Sequence, residues 1–275
     1  MRKRRGVRGF LRLVGSFAGL SGAALLGVYL WQPQRIELFP KEPPTDLAPV
    51  DPAGLGLLRP GSRVLLVTAH PDDEAFYVGG TLLRLREAGA VVRLVVMTDG
   101  DKGYYPFHDS RGTGRVRRAE QQRAAELFGI QSVRFLGLPD GRLQADERSV
   151  DALAEEIRSF RPQFLLAFDP EYVRRVYHRD HRRAGEAAVR AAERAGFSGW
   201  ALLFSTSAAN GGLDVTAQWP EAQRLLGVHE SQFFGARLAY IQSMVDARAR
   251  AAANELGLSG RRVEPFRAVR LGRER

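Results

Sequence analysis

The sequence predicts an α/β fold, Rossmann-like, with a mostly parallel sheet and helices on both faces. From residue 63 onward, short apolar runs alternate with helical patterns, which is typical of a doubly wound sheet. Several of the apolar runs end in polar or glycine-rich turns, at residues 68–74, 98–103 and 137–141. Open α/β sheets bind ligands at the carboxyl ends of their strands. We therefore expect the functional residues in these turns.

Hydrophobic periodicity places the individual elements. The predicted strands are residues 64–67, 91–97, 132–136, 164–168 and 201–205, and the predicted helices are residues 78–88, 114–128, 149–159, 181–195 and 233–256. The last of these helices has an apolar pattern that predicts packing on the sheet. The basic stretch after it, residues 261–275, is interpreted as a solvated tail.

Composition limits the chemistry available to the protein. The chain has 275 residues, 44% of them hydrophobic, which suits one large or two small domains. It contains no cysteine, which excludes disulfides, thiolate metal sites and a cysteine nucleophile. The net charge of +10 suits an anionic membrane surface, but no basic stripe interleaved with aromatic residues is present. We therefore expect no nucleic-acid partner.

The N-terminal region has the pattern of a membrane anchor. Residues 1–12 carry only basic charges, and residues 13–31 then run without a charge for about 19 residues, close to the ~20 that span a bilayer. Tyr29 and Trp31 stand at the far end, where interfacial aromatic residues belong. An uncleaved transmembrane helix is favoured over a cleaved signal peptide. The positive-inside rule then predicts a single-pass cell-membrane protein with its catalytic domain outside the cytoplasm.

A proline-rich segment separates this region from the domain. Residues 32–62 contain seven prolines, namely Pro33, Pro40, Pro43, Pro44, Pro49, Pro52 and Pro60. This composition predicts an extended linker or an arm that wraps the domain. The domain itself is predicted to cover residues 63–270.

Two groups of metal-ligating residues follow separate predicted strands. His70, Asp72 and Asp73 follow the first strand, and His178 and His181 follow the strand at 164–168. Two positions three residues apart share a helix face, so the latter two imidazoles can converge. The sheet topology brings both turns to the same edge. His70, Asp73 and His181 are the predicted ligands of one metal ion.

Two imidazoles and one carboxylate suit a catalytic Zn²⁺ with an open position for water. Asp72 is close enough in sequence to accept a proton from that water. His178 would stabilise an oxyanion or protonate a leaving group. Asp180 would hold a histidine in one tautomer. The same ligands also suit non-haem Fe²⁺, which stays open as a second class of enzyme.

These motifs resemble the LmbE-like/PIG-L de-N-acetylase family. The resemblance rests on the motifs Ala69-His70-Pro71-Asp72-Asp73-Glu74, Thr98-Asp99-Gly100, Arg117-x-x-Glu120, Leu136-Gly137-Leu138-Pro139-Asp140-Gly141, His178-x-Asp180-His181, His229-x-Ser231-Gln232 and Glu264-x-Phe266. It implies a zinc hydrolase that removes acetyl from N-acetylglucosamine-type sugars. It also implies the same metal ligands, with Asp72 as general base and His178 as oxyanion or acid partner.

Further roles follow only from this resemblance. Arg117 and Asp140 fall where the family contacts the sugar, although Arg117 would equally form an ion pair with Glu120, and Asp140 would equally serve as a turn residue. Arg179 replaces the proline that the family usually has. The loop at residues 104–113, with His108, is expected to set specificity, and His229 either reaches the site or packs.

The leading prediction is a membrane-anchored, zinc-dependent N-deacetylase acting on an N-acetylglucosamine-type sugar in a glycolipid, glycan or glycoside. The alternatives are a non-haem iron enzyme on the same ligands and an inactive, membrane-tethered sugar-binding protein. The sequence leaves the sugar acceptor and the oligomeric state open.

Overall fold

The computed structural model describes residues 36–37, 41–44, 46–103, 110–173 and 177–272. The predicted membrane anchor at residues 13–31 lies outside the described residues, as does His108 with most of its loop. Within the described part of the chain, no helix combines the length and apolar character needed to cross a bilayer.

The described residues form strands and helices in alternation. The strands are β1 (Ile36–Glu37), β2 (Arg63–Thr68), β3 (Val91–Thr98), β4 (Ser132–Leu138), β5 (Phe164–Phe168), β6 (Tyr177–His178), β7 (Gly199–Phe204), β8 (Gly211–Asp214) and β9 (Val263–Leu271). The helices are α1 (Asp73–Glu87), α2 (Ser110–Phe128), α3 (Glu147–Phe160), α4 (Arg179–Arg194), α5 (Trp219–Leu225) and α6 (Gly235–Glu255), with a 3₁₀ turn at Leu226–Val228.

Seven strands form one sheet in the order β4-β3-β2-β5-β7-β9-β8. The first five run parallel, and β9 runs antiparallel to both β7 and β8. Helices α3 and α4 cover one face, while α1 and α2 cover the other. The predicted mostly parallel sheet with helices on both faces is confirmed. The chain order reverses between β2 and β5, which is where such sheets bind ligands.

The prediction that residues 261–275 form a solvated tail is wrong, because most of this stretch is a strand of the sheet. Strand β9 occupies Val263–Leu271 and lies between β7 and β8. Its Val263, Phe266 and Ala268 are buried. The frequent arginines of this stretch hid the apolar residues in the sequence. Strand β8 escaped prediction because its sequence, Gly-Gly-Leu-Asp, has little β-propensity.

Helix α1 begins at Asp73, five residues before its predicted start. The Asp73 carboxylate accepts hydrogen bonds from the backbone N–H groups of Ala69 and His70, which ties the preceding turn to the helix. The start was missed because residues 68–74 were expected to form a turn, whereas Gly80 lies inside both the predicted and the observed helix. Glycine is required there, since a β-carbon at residue 80 would lie 2.6 Å from Cβ of Val215. Helix α2 likewise begins early, at Ser110 in place of 114.

Helix α1 kinks at Val78, whose φ of −138° is not helical. The kink leaves some backbone N–H and C=O groups without partners inside the helix. Charged side chains from other elements form hydrogen bonds with these groups instead. The carboxylate of Glu264 accepts from the N–H groups of Gly80 at 2.9 Å and Thr81 at 2.7 Å. The guanidinium of Arg248 donates to the carbonyl of Phe76. The first turn of α1, which carries Asp73, is thereby held at an angle to the rest of the helix.

Glu264→Gln is expected to destabilise the protein, because an amide offers one acceptor oxygen where two backbone donors are buried. Leaving one buried donor unsatisfied costs about 1–3 kcal/mol. Thermal unfolding of the variant should therefore begin several degrees lower than that of the unchanged protein. Glu255→Gln, at an exposed position of α6, is the matched control and should unfold like the parent. Identical unfolding of both variants would show that Glu264 does not hold the kink.

The segment before β2 includes an arm that packs along the domain. Strand β1 pairs antiparallel with β6, with Ile36 opposite His178. Lys41 pairs with Glu171 at 2.5 Å, and Leu57 is fully buried. Residues 32–62 were expected to form either an extended linker or an arm that wraps the domain. Their described part packs on the domain as an arm.

Candidate active site

The three predicted metal ligands meet at the carboxyl edge between β2 and β5. His70 Nδ1 lies 3.3 Å from His181 Nε2, and His181 Nε2 lies 3.1 Å from Asp73 Oδ1. His70 Nδ1 lies 3.6 Å from the other carboxylate oxygen of Asp73, Oδ2, which accepts the two backbone hydrogen bonds described above. These three residues are called the metal triangle below. All three residues are buried. The turn after β2 supplies His70, α1 supplies Asp73 and α4 supplies His181.

This triangle fits a tetrahedral metal ion. Zinc–nitrogen and zinc–oxygen bonds of about 2.0–2.2 Å at tetrahedral angles separate the donor atoms by about 3.3 Å. The separations of 3.3 Å between His70 Nδ1 and His181 Nε2 and of 3.1 Å between His181 Nε2 and Asp73 Oδ1 lie close to that value. Two nitrogens and one carboxylate leave a fourth position for water, as catalytic zinc sites do. The residues present therefore fit the predicted ion.

Among the described residues, two sets of three donor atoms lie mutually within 4.8 Å; both contain His70, and neither contains Asp73. One replaces Asp73 with His178, and the other combines His70 with Asp140 and Asp180. The second grouping uses the far nitrogen of the ring, because Nε2 lies 3.2 Å from Asp140 Oδ1 and 3.4 Å from Asp180 Oδ2. A proton on Nε2 shared with these carboxylates leaves the Nδ1 lone pair for a metal. Carboxylates behind a ligating histidine commonly have this task.

Backbone donors already occupy the two carboxylates behind His70. Asp180 accepts from the N–H groups of Gly141 at 2.6 Å and Leu143 at 3.2 Å. Asp140 accepts from the N–H of Lys102 at 2.7 Å. Asp140 is thus buried against His70, and its predicted contact with the sugar stays a prediction.

The charges at the site shift the pKa values of its ligands in opposite directions. Burial lowers the pKa of His70, but hydrogen bonds that its ring donates to Asp140, Asp180 and Asp73 outweigh the effect of burial and hold this pKa well above the usual value. Burial raises the pKa of Asp73, but His181 and His70 bring it well below its usual range. A metal ion would take the place of the His70 proton, so metal binding here releases a proton.

Asp72 sits beside the triangle in a strained backbone conformation, with φ at 109°. Its carboxylate accepts from Nη2 of Arg117 at 2.9 Å, and its N–H donates to the side chain of Gln121. Burial raises the pKa of Asp72 to about 6, although the charge of Arg117 opposes the rise. A carboxylate with this pKa is ionised at neutral pH and still accepts a proton readily.

Arg117 is a buried brace of the turn that carries His70 and Asp72. Besides Asp72, its guanidinium donates to the carbonyls of Gly100 at 2.8 Å and Pro71 at 2.5 Å. The alternative ion pair with Glu120 is wrong, because Glu120 instead accepts from the N–H and hydroxyl of Ser231. A sugar contact by Arg117 stays a prediction.

His178 lies over the triangle as the N-cap of α4. Its ring centroid is 4.8 Å from that of His70 and 5.1 Å from that of His181. Its Nδ1 accepts from the N–H of Asp180 at 3.2 Å, which puts the ring proton on Nε2. Burial and the two neighbouring imidazoles lower the pKa of His178 to about 3. The ring is therefore a neutral hydrogen-bond donor near neutral pH. Arg179, the departure from the family pattern, is the first residue of α4.

An aromatic wall beside His181 was missed in the sequence. The ring of Phe168 stacks on His181 with centroids 4.2 Å apart, and Tyr77 meets His181 edge-on at 5.6 Å. Gly185 lets α4 approach, because a β-carbon there would overlap the carbonyl oxygen of Phe168. The signal was present: Tyr77 follows Asp73 by one helical turn, and Phe168 ends a strand at the site edge.

His229 packs away from the metal triangle. It is fully buried and bonds Glu74 through Nε2 at 2.9 Å. Of the two roles left open for it, the structure supports packing behind the first turn of α1.

A cavity of about 420 Å³ lies at the opposite, amino edge of the sheet between Arg59, Trp200 and Arg270, and no candidate site residue lines it.

The fold and site define a class of protein: a doubly wound α/β domain with a cluster of histidines and carboxylates that could hold a metal ion at its topological switch point. The family model described as PIG-L: GlcNAc-PI de-N-acetylase matches residues 65–192. The chain carries a PIG-L/LmbE-like domain, and every candidate site residue falls within it.

Curated relatives resemble part of this chain, and a solved structure shares its fold. The chain is 34% identical over 178 residues to a 1D-myo-inositol 2-acetamido-2-deoxy-alpha-D-glucopyranoside deacetylase of Kineococcus radiotolerans, covering 53% of this chain and 49% of that protein. The chain thus spans about half the length of the curated relatives it matches. It is 33% identical over 135 residues to a diacetylchitobiose deacetylase of Thermococcus kodakarensis, covering 49% of this chain and 50% of that protein. The solved N,N'-diacetylchitobiose deacetylase of Pyrococcus horikoshii shares the fold, with a TM-score of 0.72, 23% identity and coverage of 92% of this chain and 95% of that one.

Proposed function

We propose that this protein is a metal-dependent N-deacetylase that hydrolyses the acetamide of an N-acetylglucosamine-type sugar. The observation that carries the proposal is the convergence of His70, Asp73 and His181 within 3.1–3.6 Å of one another, with Asp72 beside them. The relatives named as deacetylases of acetamido sugars support the same activity.

Each polar residue has a task in amide hydrolysis. A metal ion bound by the triangle would supply Lewis-acid chemistry and a water of lowered pKa. Asp72 takes the proton of the attacking water, because its carboxylate is ionised at neutral pH. The N–H of His178 stabilises the negative charge that develops on the carbonyl oxygen. Asp72 returns the proton to the departing amine, so one water and one acetamide give acetate and a free amine.

Zinc is the proposed ion. Non-haem iron would use the same ligands, but hydrolysis needs no redox chemistry and requires the base that Asp72 provides. Metal analysis of anaerobically purified protein separates the two ions.

The proposed activity is tested by incubating zinc-loaded protein with a panel of N-acetylglucosaminides. Acetate release from at least one member, abolished by a chelator and restored by zinc, is the expected result. Failure across glycolipid, glycan and glycoside members, with the metal site loaded, would contradict the proposal and favour a sugar-binding protein.

We further propose that residues 13–31 anchor the protein in the cell membrane with the domain outside the cytoplasm. The basic residues before the uncharged run support this orientation. A topology reporter fused after Arg275 should be active outside the cytoplasm and remain in the membrane fraction. Reporter activity in the cytoplasm would reverse the orientation, and release of a truncated form would indicate a signal peptide.

A further inference from the structure

The arm joins the domain at the edge that holds the candidate active site. Strand β1 pairs with β6, and the register places Ile36 opposite His178. Paired Cα atoms in antiparallel strands are about 5 Å apart. The ring of His178 in turn lies 4.8 Å from that of His70. The chain that leads to the proposed anchor therefore leaves the domain beside the metal triangle.

The spacer between the anchor and β1 is short. Only residues 32–35 separate Trp31 from Ile36, so a fully extended chain bridges at most about 18 Å between their Cα atoms. The amino edge of the sheet lies at the other end of strands that rise about 3.3 Å per residue. The reach of the spacer is therefore similar to the length of strands of five or six residues, which favours the site edge, where β1 pairs, as the part of the domain nearest the bilayer.

Exposed apolar residues follow Gln232 in the segment that leads into α6 and along the first half of that helix. Phe234, Tyr240 and Met244 are 46%, 49% and 37% exposed, and Tyr240 and Met244 lie one helical turn apart on α6. This patch begins two residues after Gln232, whose side chain lies with that of Arg117 beside Gly103. Arg237 is exposed between the first two members, which suits contact with anionic lipid headgroups. Large exposed apolar residues with basic neighbours are typical of interfacial membrane contact.

We propose that the carboxyl edge of the sheet, with the mouth of the active site, faces the bilayer, and that Phe234, Tyr240 and Met244 dock this edge on the lipid headgroups. The proposal rests on the membrane anchor proposed above. An amino sugar carried at the membrane surface then reaches the metal triangle without leaving the bilayer. The occupant of the α6 patch is the anionic membrane surface, in preference to a second copy of the chain, because the short spacer holds this edge at the membrane.

The absence of cysteine from the sequence permits a direct test of orientation. Tyr240→Cys labels the patch, and Ser198→Cys labels an exposed residue just before β7, at the amino edge. Each full-length variant carries a donor fluorophore and is reconstituted in vesicles of anionic lipid that contain an acceptor-labelled lipid. We expect stronger energy transfer from position 240 than from position 198. Equal transfer, stronger transfer from position 198, or failure of the chain to float with the vesicles would overturn the proposal.

Docking by the patch is tested in the same vesicles. Adding Met244→Glu to the Tyr240→Cys variant places a carboxylate against anionic lipid and should lower energy transfer from position 240. Unchanged transfer would reject the patch as the contact. Hydrolysis of a soluble N-acetylglucosaminide by the same preparations reports separately on the proposed activity. Activity without a difference in transfer rejects the orientation alone, whereas a difference without activity on any substrate rejects the function alone.

Discussion

Asp72→Asn is expected to keep a full complement of bound metal and to lower the deacetylation rate by about 10²–10⁴-fold, as the loss of a general base does. The amide retains the shape of the carboxylate and a partner for Arg117, which donates to Asp72 at 2.9 Å. It cannot accept the proton of the attacking water. Metal content and initial rate, measured on the same protein samples, provide the test.

Asp73→Asn is the matched control, one residue away. It removes the negative charge of a ligand and leaves one acceptor oxygen, whereas Asp73 uses Oδ2 for two backbone hydrogen bonds and presents Oδ1 to His181. Metal affinity should therefore fall, and excess zinc should partly restore the rate. If Asp72→Asn loses the metal while Asp73→Asn keeps it, the two carboxylates have the opposite roles to those assigned here.

His181→Ala is expected to abolish turnover and lower bound metal to a small fraction of one equivalent, because a two-ligand site holds zinc weakly. His178→Ala is its matched comparison, three residues earlier at the N-cap of the same helix. It should retain one equivalent of metal and lose about 10²–10³-fold in kcat, the cost of removing one donor to an oxyanion.

Metal stoichiometry by elemental analysis separates these two histidines. Loss of metal from His178→Ala would place His178 among the ligands and support the grouping of His70, His178 and His181. Retention of metal by His181→Ala would refute the assigned triangle.

The parallel part of the fold was predictable, because buried strands such as β2 and β5 are continuous apolar runs between polar turns. Strand β9 was not, because its apolar residues are separated by arginines and it is paired only through long-range contacts. The start of α1 was hidden for a different reason. Its first residues belong to a stretch of turn-forming residues, and the kink at Val78 that sets them apart from the rest of the helix is held by Glu264, which lies far away in the sequence.

The candidate site was likewise predictable only in part. Spacing alone brought His70, Asp73 and His181 together, because strand ends in a doubly wound sheet share one edge. The partners of the site residues could not be read in this way. Arg117 was expected at the sugar or on the helix surface, yet it braces the turn that carries Asp72. Which acid an arginine selects depends on the orientation of α2 against α1, and the sequence does not encode that orientation locally.

Anomalous diffraction from crystals of the zinc-loaded protein tests the central claim most directly. One zinc peak is predicted about 2.0–2.2 Å from His70 Nδ1, Asp73 and His181 Nε2, with Asp72 and His178 outside the bonding distance. A peak between His70 Nε2, Asp140 and Asp180, or one bonded to His178, would contradict it.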